Sequence, residues 1–159
     1  MRSSYDVLIV TALLDELKAL ESVRYGVLDG WRSSTDPDGL PYSYCTLQAD
    51  DGTSLRVAVA WTGAMGETAA ATRATALVGH FSPACIAMCG ICAGYRGKVS
   101  LGDVIVADRV YSYDHGKLIA AEDEGGIRKE DFYHDIETYG LPKNWRMDAE
   151  YFSHELAGK

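Results

Sequence analysis

The sequence predicts an α/β protein built on an open sheet with parallel strands, and three observations carry that expectation. Short apolar runs, Val7-Leu8-Ile9-Val10 and Cys85-Ile86-Ala87-Met88, have strand length and strand composition. Between them lie stretches where leucine or alanine recurs at helical spacing. The second run breaks abruptly into Cys89-Gly90-Ile91-Cys92-Ala93-Gly94, with Leu101-Gly102-Asp103-Val104-Ile105-Val106 soon after. Such a break lets a ligand approach bare backbone where a parallel strand ends, the usual place for a site in this fold class.

Taken in order, Val7 to Val10 reads as a strand covered on both faces, ending at Thr11-Ala12. Leu13, Leu14, Leu17 and Leu20 then mark a helix to about Arg24, with Asp15 opposite their stripe and Glu16 on its border, able to lean inward. Residues 29 to 41 are dense in turn formers and read as a surface connection. Residues 42 to 48 and 54 to 61 flank Asp50-Asp51-Gly52 as a hairpin. Gly63-Ala64-Met65-Gly66 turns into a second helix with a stripe of Ala70, Ala71, Ala74, Leu77, Val78 and Phe81, stopped by Pro83. Strands follow at 85 to 88 and at 103 to 108. Residues 113 to 144 read as a long loop, and a last helix starts near Asp148.

The 159 residues suit one domain spanning 1–159, and 47% apolar with 24% charged residues is globular composition. No apolar run approaches the ~20 residues of a membrane span. The absence of a hydrophobic leader before Val7 argues against a signal peptide, so the cytoplasm is expected. A net charge of −8 repels nucleic acid and anionic lipid, leaving a small molecule as the expected partner. Cys45, Cys85, Cys89 and Cys92 are read as free thiols, three of them in apolar surroundings typical of buried ones.

Three chemistries compete in these residues. Cys85-x3-Cys89-x2-Cys92 has the spacing of a radical iron–sulfur loop, but its first two cysteines lie along an apolar strand, so structural thiols are the plainer reading. Cys89-x2-Cys92 is half a zinc set, and His115, His134 and His154 are scattered singly, so no metal and no cofactor are expected. The Gly63-to-Gly66 turn could cradle an anion at a helix N-terminus, yet it lacks the lysine and hydroxyl of a phosphate loop and the three-glycine spacing of a dinucleotide fingerprint, so a tight strand-to-helix turn is the plainer reading. Glu16, one turn into its helix and beside a strand end, could act on water as a general base; its plainer reading is a solvated helix glutamate.

Four segments in order resemble the nucleoside phosphorylase and nucleosidase superfamily, especially its methylthioadenosine/S-adenosylhomocysteine nucleosidase branch. They are Val7-Leu8-Ile9-Val10-Thr11-Ala12-Leu13-Leu14-Asp15-Glu16-Leu17, Thr62-Gly63-Ala64-Met65-Gly66-Glu67-Thr68-Ala69-Ala70-Ala71, Ile86-Ala87-Met88-Cys89-Gly90-Ile91-Cys92-Ala93-Gly94 and Leu101-Gly102-Asp103-Val104-Ile105-Val106. The resemblance implies a three-layer α/β/α fold around a mixed, partly barrel-like sheet, here incomplete at the C-terminus. It implies cleavage of a purine nucleoside or nucleotide at its N-glycosidic bond, with Glu16 acting on the attacking water. Leu13 and Met65 then fall on ribose-side and 5′-side contacts, Gly66 beside Met65 joins the substrate-binding set, and Gly90, Ile91, Cys92 and Ala93 line ribose, water and base. Met88 stands where some phosphorylases carry arginine, and Ile91 where a serine or threonine would bind phosphate or water, which favours hydrolysis. Ile91 and Ala93 also depart from the usual loop. The family's catalytic aspartate and its Met-Glu ribose clamp belong to a C-terminal half beyond this sequence, which implies an N-terminal piece of a longer protein. The resemblance further implies a homo-oligomer, with signalling or defence fusions among similar domains. A non-catalytic nucleoside-binding or assembly module is the alternative.

Overall fold

In the computed structural model, which describes residues 4–64, 66–113, 115–122 and 128–157, the first apolar run is strand β1 (Val7–Thr11). Helix α1 (Leu14–Ser22), strands β2 (Arg32–Thr35), β3 (Pro41–Gln48) and β4 (Ser54–Trp61), helix α2 (Glu67–Phe81) and strand β5 (Cys85–Met88) follow. The strands form one mixed sheet in the order β2-β3-β4-β1-β5, with β1 parallel to both β4 and β5 and the β2-β3-β4 side antiparallel. Side chains alternate across a strand, so β1 serves two cores. Leu8 and Val10 pack with Leu77 and Phe81 of α2, whereas Val7 and Ile9 join a second cluster with Leu17 and Leu20 of α1. The helices therefore cover opposite faces, giving the expected three layers around a mixed sheet.

The expected hairpin forms with Gly52 at φ +84°, a conformation that suits glycine, and β5 occupies the expected residues. Helix α1 is shorter than its leucine stripe suggests, and none of its residues is fully buried. On α2 the deepest positions are Arg73, Leu77 and Phe81, while Val78 of the expected stripe is exposed. The 29-to-41 connection contains an edge strand, β2. Its residues are all exposed and polar, so no apolar alternation announces it.

Residues 1–93 form one compact unit and 94–159 a second. In the second, β6 (Arg109–Tyr111) pairs antiparallel with β9 (Thr138–Gly140), and β7 (Gly116–Glu122) pairs antiparallel with β8 (Arg128–His134). Helix α3 spans Lys143–Ala157. Three expectations are corrected here. No strand forms over 103 to 108, where Val104 and Val106 are exposed and, among the described residues, no strand pairs with the segment; only its ends are tied, the Leu141 amide donating to the Asp108 carbonyl and the Asp103 amide to the Ser100 carbonyl. The stretch 113 to 144 holds strands rather than a structureless loop; Lys117 to Ala120 are exposed on both faces, which erases the usual alternation. Helix α3 begins five residues before Asp148, directly after Pro142, whose fixed φ suits a helix start.

Candidate functional site

At the carboxyl end of β1 the ladder closes on both sides: the Thr62 amide donates to the Thr11 carbonyl (3.0 Å) and the Cys89 amide to the Val10 carbonyl (3.1 Å). The chain then turns through Ala12 into α1, whose N-cap is Leu13 in an extended conformation. Leucine has no side-chain acceptor for the free amides of a first helical turn. Glu16, three residues on, supplies one by reaching back. Its Oε2 accepts from the Leu13 amide (2.9 Å) and the Ala12 amide (3.0 Å). Its Oε1 accepts from the Ile91 amide (2.8 Å), just past the end of β5. The Ala12 carbonyl is held in turn by the Trp61 indole N–H at 2.9 Å.

This cradle sets the charge of the group. The Ile91 amide first, and then that of Leu13, hold the carboxyl below the ordinary glutamate range; partial burial opposes them, and the Ala12 amide adds to the lowering. Glu16 is thus an ionised carboxylate at neutral pH. A carboxylate has about four acceptor positions. Three are taken by amides, and the one left, on Oε1, can accept from a water or a ligand hydroxyl.

The structure brings Glu16, Leu13, Gly90 and Ile91 together. Cys92 and Ala93 continue from Ile91 as exposed chain, and the expected burial of the thiols is corrected at Cys89 and Cys92, which are both exposed because the chain past β5 has no cover. Gly66 is the N-cap of α2 at φ +105°, where its carbonyl accepts from the Ala70 amide. Met65 lies outside the described residues. Sequence reasoning missed Ala12, whose amide and carbonyl both work here, because nothing in an alanine advertises a backbone role. It also missed Trp61, for which an aromatic at a strand end was the available signal.

A mostly apolar cleft of about 350 Å³ lies beside α1, lined by Leu14, Leu17, Tyr42 and Trp61 among others. Arg73, buried at its edge, pairs with Asp36 and also donates to the Pro41 carbonyl. Asp36, Asp38 and His80 place possible ligand atoms within 4.8 Å of one another. Asp36 is already committed, however: Oδ1 accepts from the Asp38 and Leu40 amides and Oδ2 from Arg73. A guanidinium on one oxygen and two amides on the other make it a turn-and-ion-pair residue rather than a cation ligand. Among the described residues the thiols of Cys85, Cys89 and Cys92 do not gather into a ligand set.

A three-layer sheet with an ionised, amide-cradled carboxylate at the carboxyl ends of its parallel strands defines an α/β protein with an acidic group at the edge where this fold class binds its ligands. The chain belongs to the phosphorylase superfamily, whose family model matches residues 6–156. The superfamily resemblance seen in the four sequence segments is borne out. Two Escherichia coli proteins named ATP nucleosidase Cap17, one from strain KTE188, are each 35% identical over 120 residues, which is 76% of this chain and 23% of theirs. An uncharacterized protein, y4jS of Sinorhizobium fredii (strain NBRC 101917 / NGR234), is 37% identical over 119 residues, 74% of this chain and 28% of its own. The chain thus spans about a quarter of the length of these curated relatives. No solved structure matches it significantly.

Proposed function

We propose that this chain forms the water-activating half of a purine nucleosidase, within a longer protein that hydrolyses the N-glycosidic bond of an adenine-type nucleoside or nucleotide. The observation that carries the reading is the Glu16 carboxylate, ionised by three backbone amides with one acceptor position to spare. Glycosidic cleavage passes through an oxocarbenium-like state in which the sugar carbon becomes cationic. A fixed carboxylate beside that carbon favours the developing charge and orients the water that attacks it. Because its proton affinity is low, Glu16 serves first to hold and polarise that water and takes its proton only as the new C–O bond forms.

Leu13, Met65, Gly66, Gly90, Ile91, Cys92 and Ala93 are assigned to the surrounding ribose, 5′ and base contacts on the family resemblance. Relatives named as ATP nucleosidases support a nucleotide as substrate and disfavour a non-catalytic module. Residues 1–159 are taken as one family domain, supported by the match over 6–156, and a homo-oligomer in the cytoplasm is proposed with it on the family resemblance. No helix among the described residues is long and apolar enough to cross a membrane.

The test is adenine release from ATP and from adenosine by the longer protein, with and without inorganic phosphate. Release without phosphate is expected, falling by about 10²–10⁴-fold in Glu16→Ala. A requirement for phosphate, or full activity in Glu16→Ala, overturns the mechanism. Light scattering of the same preparation reads the oligomeric state, and a monomer would remove that part of the proposal.

A further inference from the structure

We propose that Gly90 is the positioning residue of this site: the bare backbone there is what lets the Glu16 carboxylate seat against the Ile91 amide. The inference rests on the reading of Glu16 as the water-orienting group and gives Gly90 a role exerted through Glu16, beyond the ligand contact assigned to it above.

Two observations carry it. A β-carbon at Gly90 would stand 2.6 Å from Glu16 Oε1, 3.0 Å from Cδ and 3.1 Å from Oε2, and these are the three nearest heavy atoms to it. Nonbonded carbons settle at about 3.5–4.0 Å, so the carboxylate and a side chain at 90 cannot share this space. The second observation concerns the backbone. Gly63 and Gly66 have φ of +83° and +105°, with nothing within 4 Å of where a β-carbon would be, so they are glycines for conformation. Gly90 is not among the glycines with positive φ, so its backbone would accept alanine. It is glycine for space, and that space is filled by the carboxylate.

The consequence follows from the order of the chain. Ile91 is the next residue, and its amide is the contact that ties α1 to the end of β5. A methyl group at 90 pushes Oε1 away from that amide and leaves the carboxylate with only the two amides of its own helix turn. Glu16 then swings between positions instead of presenting one acceptor in one direction.

The experiment compares this chain with Gly90→Ala, Glu16→Ala and the double variant, using three readouts that need no turnover. In Gly90→Ala the Glu16 carboxyl, followed by carbon-13 NMR, titrates closer to the ordinary glutamate range. Exchange of the Ile91 amide accelerates by about tenfold or more, as expected for a lost hydrogen bond to a charged acceptor. The melting midpoint falls by several degrees in the Glu16 background and stays unchanged when Gly90→Ala is combined with Glu16→Ala, because the obstruction is then gone. If Gly90→Ala does not fold while the double variant does, the coupling is shown in its strongest form. Equal losses in both backgrounds, an unfolded double variant, or an unmoved Glu16 titration overturns the proposal. Its failure is separable from that of the nucleosidase reading. Coupling that holds while base release survives Glu16→Ala would leave the seat intact and remove the water role.

Discussion

Glu16 does two jobs with one carboxylate, completing the first turn of α1 and holding the loop after β5. Linkage gives its pH signature. The folded state lowers its proton affinity, so the unfolded chain binds the proton first as pH drops. The associated stability is present above the ordinary glutamate range, about pH 4.3, and is lost as pH falls through the lower folded value. Urea titrations between about pH 6 and pH 3 should therefore show a shallower acid loss in Glu16→Gln than in the parent sequence. The thiols divide by burial in a second test. Desolvation, with Asp29 adding to it, pushes the buried Cys45 thiol up to about 11, and burial also raises Cys85. Iodoacetamide at neutral pH should label Cys89 and Cys92 and spare Cys45 until the chain is unfolded, as read by peptide mass spectrometry. At this scale the sequence shows Glu16 well, because its place on the edge of a leucine stripe lets it turn inward. It hides the partners, since the amides of Ala12 and Ile91 belong to residues chosen for other reasons.

Helix α2 and the turn between β2 and β3 are joined by a buried ion pair that no periodicity reveals. Arg73 stands where an apolar residue would continue the face of Leu77 and Phe81, and Asp36, also buried, receives it. Burial alone would raise the Asp36 pKa, but the Leu40 amide, the Arg73 guanidinium and the Asp38 amide together lower it. Removing one partner leaves the other charge buried, so Asp36→Ala should cost about 3–5 kcal/mol in urea unfolding. Replacing Asp38, whose carboxylate is half exposed beside His80, should cost less than about 1 kcal/mol. Elements that bury apolar side chains, such as β1, β4 and α2, were legible in the sequence, and β5 was legible from its short apolar run although most of it is exposed. Edge strand β2 and strand β7, exposed from Lys117 to Ala120, were not, because strands without a buried face have no reason to alternate. The apolar run at 103 to 108 erred in the other direction: composition suits a strand there, but pairing makes one.

Among the described residues, the fully buried apolar side chains belong to residues 5 to 81, while Leu101, Val104 and Tyr113 are exposed. Stability of the chain should follow that distribution. Leu77→Ala is expected to cost about 2–5 kcal/mol, and Val104→Ala to stay within about 0.5 kcal/mol, both by urea unfolding. Equal losses at the two sites would contradict this placement of the core. The order of β1, α1, β3, β4, α2 and β5 and the two-sided covering of β1 were readable from residues alone, because burial imposes a period on the chain. The pairing of Arg73 with Asp36, the three amides around Glu16 and the reason that position 90 lacks a side chain were not. Those depend on which atoms from distant segments meet at under 3.5 Å, and neither hydrophobicity nor spacing along the chain encodes that distance.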